Sequence, residues 1–270
     1  MKGNLQKLRV TLTDPVQYQL PIGDEFVALN PLLGQKITLH FTGAIHCMYC
    51  KRKTNKSFSQ GYCFPCFRAL ARCDSCILKP EQCHYFKGTC REPKWGEENC
   101  LIPHVVYLAN TSGIKVGITR HTQIPIRWID QGATQALPVM RVAMRYHAGL
   151  IEQAFKQQVA DKTNWRQMLS GNSLEVDLQE AQQKILAATQ AFIEPIIANQ
   201  PNSKFETLQE EVIEIHYPVL AYPTKVVSLS FDKTPNIAGK LLGIKGQYLI
   251  LDCGVLNIRN YGGYEINFAA

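Results

Sequence analysis

Nine of the chain's ten cysteines fall between Cys47 and Cys100, and this stretch has almost no periodic apolar pattern. A segment so poor in aliphatic residues cannot bury enough surface to fold unaided, so cross-links or metal ions must stand in for a core. The compartment decides between them. The opening residues, Met1-Lys2-Gly3-Asn4-Leu5, lead into no apolar signal core, and nowhere do about 18 apolar residues run together. We therefore expect a soluble cytoplasmic protein with no membrane partner, in which thiols stay reduced and clustered cysteines hold metal.

Spacing sharpens that expectation for the first four thiols. Cys47 and Cys50 are separated by two residues, as are Cys63 and Cys66, with twelve residues between the pairs. A two-residue loop lets both thiolates reach one ion at about 2.3 Å, and two such loops complete a tetrahedron. Pro65 can open a helix that continues through Phe67-Arg68-Ala69-Leu70, which gives the outline of a treble-clef finger with structural Zn²⁺. Five cysteines remain: Cys73, Cys76, Cys83, Cys90 and Cys100. Cys73 and Cys76 make a third knuckle, and a second zinc site needs only two of the other three. Spacing does not choose among them, and interleaved pairing or an iron–sulfur cluster stays open. All-thiolate ligation leaves no open position, so these sites read as structural. His84 is more often a surface residue than a ligand, and His104 either closes the second site or caps a sheet edge. Cys253 reads as a small core residue.

Charge is as uneven as cysteine. The net charge is +7, yet residues 41–170 carry 18 Lys or Arg against 8 Asp or Glu, and residues 171–218 carry 2 against 8. A basic body of this size is an ordinary solvated surface or, gathered on one face, the phosphate attraction on which nucleic-acid binding rests. Lys51, Arg52 and Lys53 lie inside the first zinc loop, where they form a solvated turn or a phosphate contact ordered before binding. Phe58, Tyr62 and Phe64 fill a small core or stack on bases.

With 46% hydrophobic and 19% charged residues the chain should fold rather than stay disordered, and its 270 residues suit several modules. We expect an α+β protein with N-terminal strands over 1–46 and a cysteine-rich zinc segment over 47–103. A small α/β unit over 104–170, an acidic amphipathic helix within 171–210 and a β-rich sheet or barrel over 211–270 complete it. Within the third unit, residues 105–109 and 114–118 form a hairpin, Pro125 opens a helix, 137–144 is a strand and 148–160 a helix. The long helix spans 174–200, with Leu178, Ile185, Leu186, Phe192, Ile193 and Ile196 on one face. Strands follow at 212–215, 226–230, 239–243 and 248–251, with a turn at 243–247, and share a core with the N-terminal strands.

The hairpin His104-Val105-Val106-Tyr107-Leu108, then Ile114-Lys115-Val116-Gly117-Ile118, then Arg127-Trp128, then Glu152 in a later helix, resembles the GIY-YIG nuclease superfamily over roughly residues 103–170. Thr163-Asn164-Trp165-Arg166 is similar to the tryptophan-containing tail of divergent branches, whose second strand reads Lys-Ile-Gly. The whole arrangement also resembles an uncharacterised bacterial family of unknown function. The superfamily's chemistry is metal-assisted hydrolysis of a phosphodiester. The resemblance implies that Glu152 binds Mg²⁺ or Mn²⁺, that Arg127 stabilises phosphate charge and that Gly117 is the close-packed glycine. Val106 takes the first catalytic-tyrosine position, with Tyr107 one residue later on the opposite face. Lys115 takes the second, where it serves as a base only with its pKa depressed by several units. Arg120 and His121 follow the second strand and would border the same groove. The expected function is thus a zinc-containing, nucleic-acid-binding protein and candidate endonuclease. The alternatives are a catalytically silent nucleic-acid-binding module, or a scaffold whose 174–200 helix docks a protein partner.

Overall fold

Short alternating strands occupy both ends of the chain. β1 (Lys2–Asn4), β2 (Arg9–Thr11), β3 (Gln17–Ile22) and β4 (Glu25–Ala28) lead to β5 (Lys36–His46), which buries Ile37, Leu39 and Ile45 at even spacing. In the computed structural model, which describes residues 1–159, 164–171, 174–199 and 204–270, the cysteine-rich segment has only β6 (Lys53–Thr54), α1 (Phe64–Ala69), α2 (Pro93–Asn99) and single 3-10 turns. The centre follows with β7 (His104–Asn110), β8 (Ile114–Arg120), α3 (Ile126–Asp130), β9 (Gln135–Val142), α4 (Arg145–Phe155), α5 (Trp165–Met168) and α6 (Leu178–Ala198). β10 (Phe205–Thr207), β11 (Ile213–Glu214), β12 (Asn236–Lys245), β13 (Tyr248–Leu251), β14 (Gly254–Asn257) and β15 (Tyr264–Ala269) complete the chain. The protein is mixed α and β with several antiparallel sheets.

The largest sheet runs β1-β15-β5-β12-β13-β14, with β6 also on β5. Both ends of the chain meet in it: Lys2 lies opposite Asn267 and Phe41 opposite Ile266. A second sheet runs β10-β9-β7-β8, with β11 also on β9. Its central strand β7 is buried along its whole length because both faces are covered. Val105, Tyr107 and Ala109 join the core of the first sheet with Trp128, Ile129 and Leu249, whereas Val106 and Leu108 meet Ile151 and Phe155 of α4 and Leu178 and Ile185 of α6. The second sheet is therefore the middle layer, with its two faces committed to different cores.

Four local expectations are corrected. Residues 226–230 form no named strand; Ser228 makes a single parallel bridge to Val255. The turn expected at 243–247 shrinks to Gly246 and Gln247, because β12 continues through Lys245 and Gly246 supplies the left-handed φ of 62°. Cys253 is exposed, since Asp252 and Cys253 are the turn between β13 and β14 rather than part of a strand. Phe192 is also exposed, because the buried stripe of α6 runs through Leu178, Ile185, Thr189 and Ile193. Residues 160, 163 and 200, within the expected helices and tryptophan tail, lie outside the described residues. Asn164 caps α5, accepting from the Gln167 amide at 3.2 Å, and Trp165 stacks on Tyr248 of β13 at 5.8 Å. No described helix is long and apolar enough to cross a membrane.

Candidate metal centres and a tyrosine, arginine and glutamate site

The first knuckle is made by a left-handed residue. Lys51, at φ 61°, turns the chain so that its amide donates to the Cys47 carbonyl at 2.9 Å while the Cys47 amide donates to Arg52 at 2.9 Å. The second pair starts at the cap of α1, where Cys63 is extended and Pro65 lies in the first turn. The four sulfurs of Cys47, Cys50, Cys63 and Cys66 then lie within 4.8 Å of one another, with Cys50 and Cys63 at 3.7 Å. Tetrahedral Zn²⁺ bound at about 2.3 Å needs sulfurs about 3.8 Å apart, so the donor set fits that ion. Protonation points the same way. The Arg52 backbone amide, ahead of its other neighbours, lowers the Cys50 thiol to about 6, and burial pushes Cys66 up to about 12. Four thiolates packed this closely cannot coexist without a cation, and a divalent ion removes that conflict. Arg52 Nε also donates to Cys50 Sγ at 3.1 Å. Phe58 stacks on Phe67 at 5.6 Å and meets Phe64 at 5.4 Å, so Phe58 packs the finger while Phe64 stays half exposed.

The third knuckle is split between two places. Cys73 is buried against Cys47, Cys63, Cys66 and Leu70, beside the first ring. Cys76, Cys83, Cys90 and Cys100 line a separate cavity of about 20 Å³. A second compact donor group, Asp74, Cys76 and His84, also lies within 4.8 Å. Its polar atoms already have partners: Asp74 Oδ2 accepts from Arg91 Nε at 2.7 Å and faces His84 Nε2 at 3.4 Å, while His84 Nδ1 meets Thr89 Oγ1 at 2.8 Å. Asp74 was not a sequence candidate. The available signal was its place after Cys73, where its Oδ1 accepts the Ser75 amide at 2.6 Å and caps a turn. His104 stands apart from both rings in β7, where Nδ1 lies 2.8 Å from the Ile102 carbonyl, Nε2 is buried without a partner, and burial lowers its pKa to about 4.

Of the remaining candidates, Arg127 and Glu152 both act on Tyr107. Register sets Tyr107 opposite Gly117, and a Cβ at Gly117 would lie 2.5 Å from the Tyr107 hydroxyl oxygen. Only glycine lets that ring lie across β8. The hydroxyl donates to Gln131 Oε1 at 2.7 Å, and the ring meets Trp128 edge-on at 6.0 Å. Burial raises the Tyr107 pKa, the Arg127 charge and hydrogen bond oppose the rise, and the Glu152 charge adds to it. The phenol on β7 therefore feels the charges of Arg127 on α3 and of Glu152 on α4. Glu152 is 8% exposed, with Lys156 Nζ at 3.4 Å. Arg145 and Arg259, both held below the usual arginine range mainly by burial, each feel the Arg127 charge.

α3 is fixed where it can present Arg127. Asp130 accepts from Lys7 Nζ and from Gln247 Nε2, both at 2.8 Å. Arg259 Nε donates to Gln60 Oε1 at 2.7 Å, which ties the finger segment to the same place. Arg145, Arg259 and Gln131 were not sequence candidates; Arg145 lies two helical turns before Glu152, which is a usable signal, but Arg259 is 132 positions from Arg127 and gives none. Lys115 is half-buried on the same face of β8 as Gly117, and Arg120 bonds the Asn99 side chain through Nη1. His121, Lys51, Arg52 and Lys53 are exposed.

Neither a curated protein nor a solved structure matches the chain. A family profile described as a protein of unknown function does match, over residues 34–266, from the turn before β5 into β15. That span takes in both rings, the Tyr107 site, the second sheet and the largest sheet apart from β1 and the end of β15, and the chain accordingly belongs to the DUF2797 family.

Proposed function

We propose that the protein binds nucleic acid through its basic body and cleaves a phosphodiester at the Tyr107, Arg127 and Glu152 site. The observation that carries this reading is a buried phenol that feels both the Arg127 and the Glu152 charges, with Arg145 and Arg259 each feeling Arg127. Arginines whose charges reach one another near a carboxylate suit a dianionic centre better than an apolar substrate. Arg127 would hold a non-bridging phosphate oxygen, and the Tyr107 hydroxyl, oriented by Gln131, would position the attacking water. Glu152 is the carboxylate suited to Mg²⁺ or Mn²⁺, which would share its coordination with phosphate oxygens, neutralise charge and acidify a bound water. The first cysteine ring would hold Zn²⁺ as a structural ion and steady the exposed Lys51, Arg52 and Lys53 as backbone contacts.

The resemblance to the GIY-YIG superfamily supports the same reading. Val106 faces the helix-covered side of the sheet, so Tyr107, on the opposite face, supplies the phenol near Arg127. Lys115 at the second tyrosine position favours a second reading, binding without cleavage. Binding isotherms on DNA and RNA at several salt concentrations test the shared part: a steep fall of affinity with salt is expected, and no binding at low salt would end both readings. Cleavage of a labelled strand with Mg²⁺ or Mn²⁺ separates them. Loss of cleavage in Glu152→Gln with binding retained supports the hydrolase, and binding with no cleavage by the natural chain supports the silent module.

A further inference from the structure

Cys76, Cys83, Cys90 and Cys100 surround one small cavity, yet they reach it from scattered places. Cys76 sits in the 3-10 turn Ser75–Ile77, Cys83 caps the turn Pro80–Gln82, Cys90 precedes α2 and Cys100 ends it. Gly96 of α2 lies flush against this ring: a Cβ there would be 3.2 Å from the Tyr85 ring and 3.5 Å from Cys90 Sγ. Trp95 and Ile77 supply apolar walls.

The spacing of the sulfurs distinguishes this ring from the first. A zinc ion draws four sulfurs to about 3.8 Å of one another and leaves no space between them. The first ring meets that condition. Among the described residues, the donor groups gathered within 4.8 Å are the first ring and Asp74, Cys76 and His84; no three of Cys76, Cys83, Cys90 and Cys100 are so close. The cavity of about 20 Å³ left between them, about the space of one water molecule, shows the four thiols held apart rather than closed on one another. In a cubane cluster each thiolate binds a different iron, which sets the four sulfurs roughly 6 Å apart.

Charge agrees with spacing. A 4Fe–4S core bound by four thiolates is a net anion, and the Asp74 carboxylate lines the same cavity, so cationic donors are needed. Arg145 provides one: its amide donates to the Cys100 carbonyl at 2.7 Å, its Nη2 to the Ile77 carbonyl at 2.7 Å, and its Nε is buried with no partner.

We propose that Cys76, Cys83, Cys90 and Cys100 bind a 4Fe–4S cluster, while Cys47, Cys50, Cys63 and Cys66 keep zinc. The cluster would also brace the neighbouring site. Arg145 begins α4, and Gly149 of that helix is pressed onto Pro80 and Glu81, where a Cβ would lie 2.6 Å from the proline. Glu152 sits one turn further on, so the cluster loop and the carboxylate share one rigid support.

The assignment is independent of the hydrolase reading and is tested without activity. The full-length chain, purified without oxygen, should contain about four iron and four acid-labile sulfide per zinc, with broad absorbance near 400 nm. Cys90→Ser should lose iron and sulfide and keep zinc, whereas Cys47→Ser should lose zinc and keep iron. If neither variant folds, the metal counts of the natural chain decide. Should the natural chain carry two zinc ions, it is stripped and incubated anaerobically with ferrous iron, sulfide and a thiol. Uptake of about four irons supports the proposal; failure to take up iron and sulfide, or uptake of two irons, overturns it.

Discussion

Between Cys47 and Cys73 the buried side chains are mainly thiols, with Leu70 and Ala71 among them, whereas β7, which starts 31 positions after Cys73, buries all seven of its residues between two apolar cores. The cysteine segment is held by ligands and by edges, since β6 adds only two residues to β5. The sheet is held by area removed from water. Neighbours in sequence thus fail under different conditions: a chelator reaches one, and only loss of packing reaches the other. The two regions touch at Arg145, at the Arg120–Asn99 pair and where Gly149 of α4 meets Pro80.

Metal removal should give the largest separation. Stripping zinc from Cys47, Cys50, Cys63 and Cys66 removes on the order of 10 kcal/mol of local stabilisation. Hydrogen exchange should then show amides over 47–76 unprotected while those of β7 and β9 stay protected; simultaneous loss in both would show that they fold as one unit.

Acid should act on the sheet through His104. Its folded pKa of about 4 lies below the ordinary value of 6.5, so between those limits the unfolded chain takes up a proton that the native chain refuses. The stability this neutral imidazole allows is complete above pH 6.5 and falls as pH drops toward 4, by about 3 kcal/mol across the window. Denaturant titrations at pH 7 and pH 5 should show a steeper loss for the natural chain than for His104→Gln. Equal slopes would place the acid sensitivity in the thiols instead.

What could be read from sequence divides along the same line. Cys47, Cys50, Cys63 and Cys66 were legible because a two-residue spacing is itself a geometry, and the β7–β8 hairpin because two short apolar runs flank the turn residues Asn110-Thr111-Ser112-Gly113. The destinations of Cys73 and Cys76 were not: one knuckle was sent to two places by the turns that follow it, and Cys83, Cys90 and Cys100 carry no local spacing rule. Cys253 looked like core because Leu249, Ile250, Leu251 and Val255 around it are buried, yet the two-residue turn carries it out. Arg259 reaches Arg127 only because β12 to β15 close the first sheet against α3, a long-range pairing that no window of sequence contains.

Two substitutions probe the sheet at one contact. Gly117→Ala places a methyl 2.5 Å from the Tyr107 hydroxyl oxygen and should cost about 2 kcal/mol by overpacking. In a Tyr107→Ala background the same change should cost little, and a double-mutant cycle by thermal melting reads the coupling. Additive costs would mean that another neighbour requires the glycine.

Tyr107→Phe is the smallest change and the most informative about function. It keeps the ring against Trp128 and Gly117 and removes the hydroxyl with its hydrogen bonds to Gln131 and Arg127, so stability should fall by about 1 kcal/mol. The hydroxyl also feels the Arg127 and Glu152 charges, so for a hydrolase the same variant should bind nucleic acid with its natural salt slope and lose cleavage by tenfold or more. Cleavage at the natural rate would remove Tyr107 from the chemistry and leave it as packing for the sheet. A melting curve and a cleavage time course on one variant therefore separate what the phenol does for the core from what it does for phosphate.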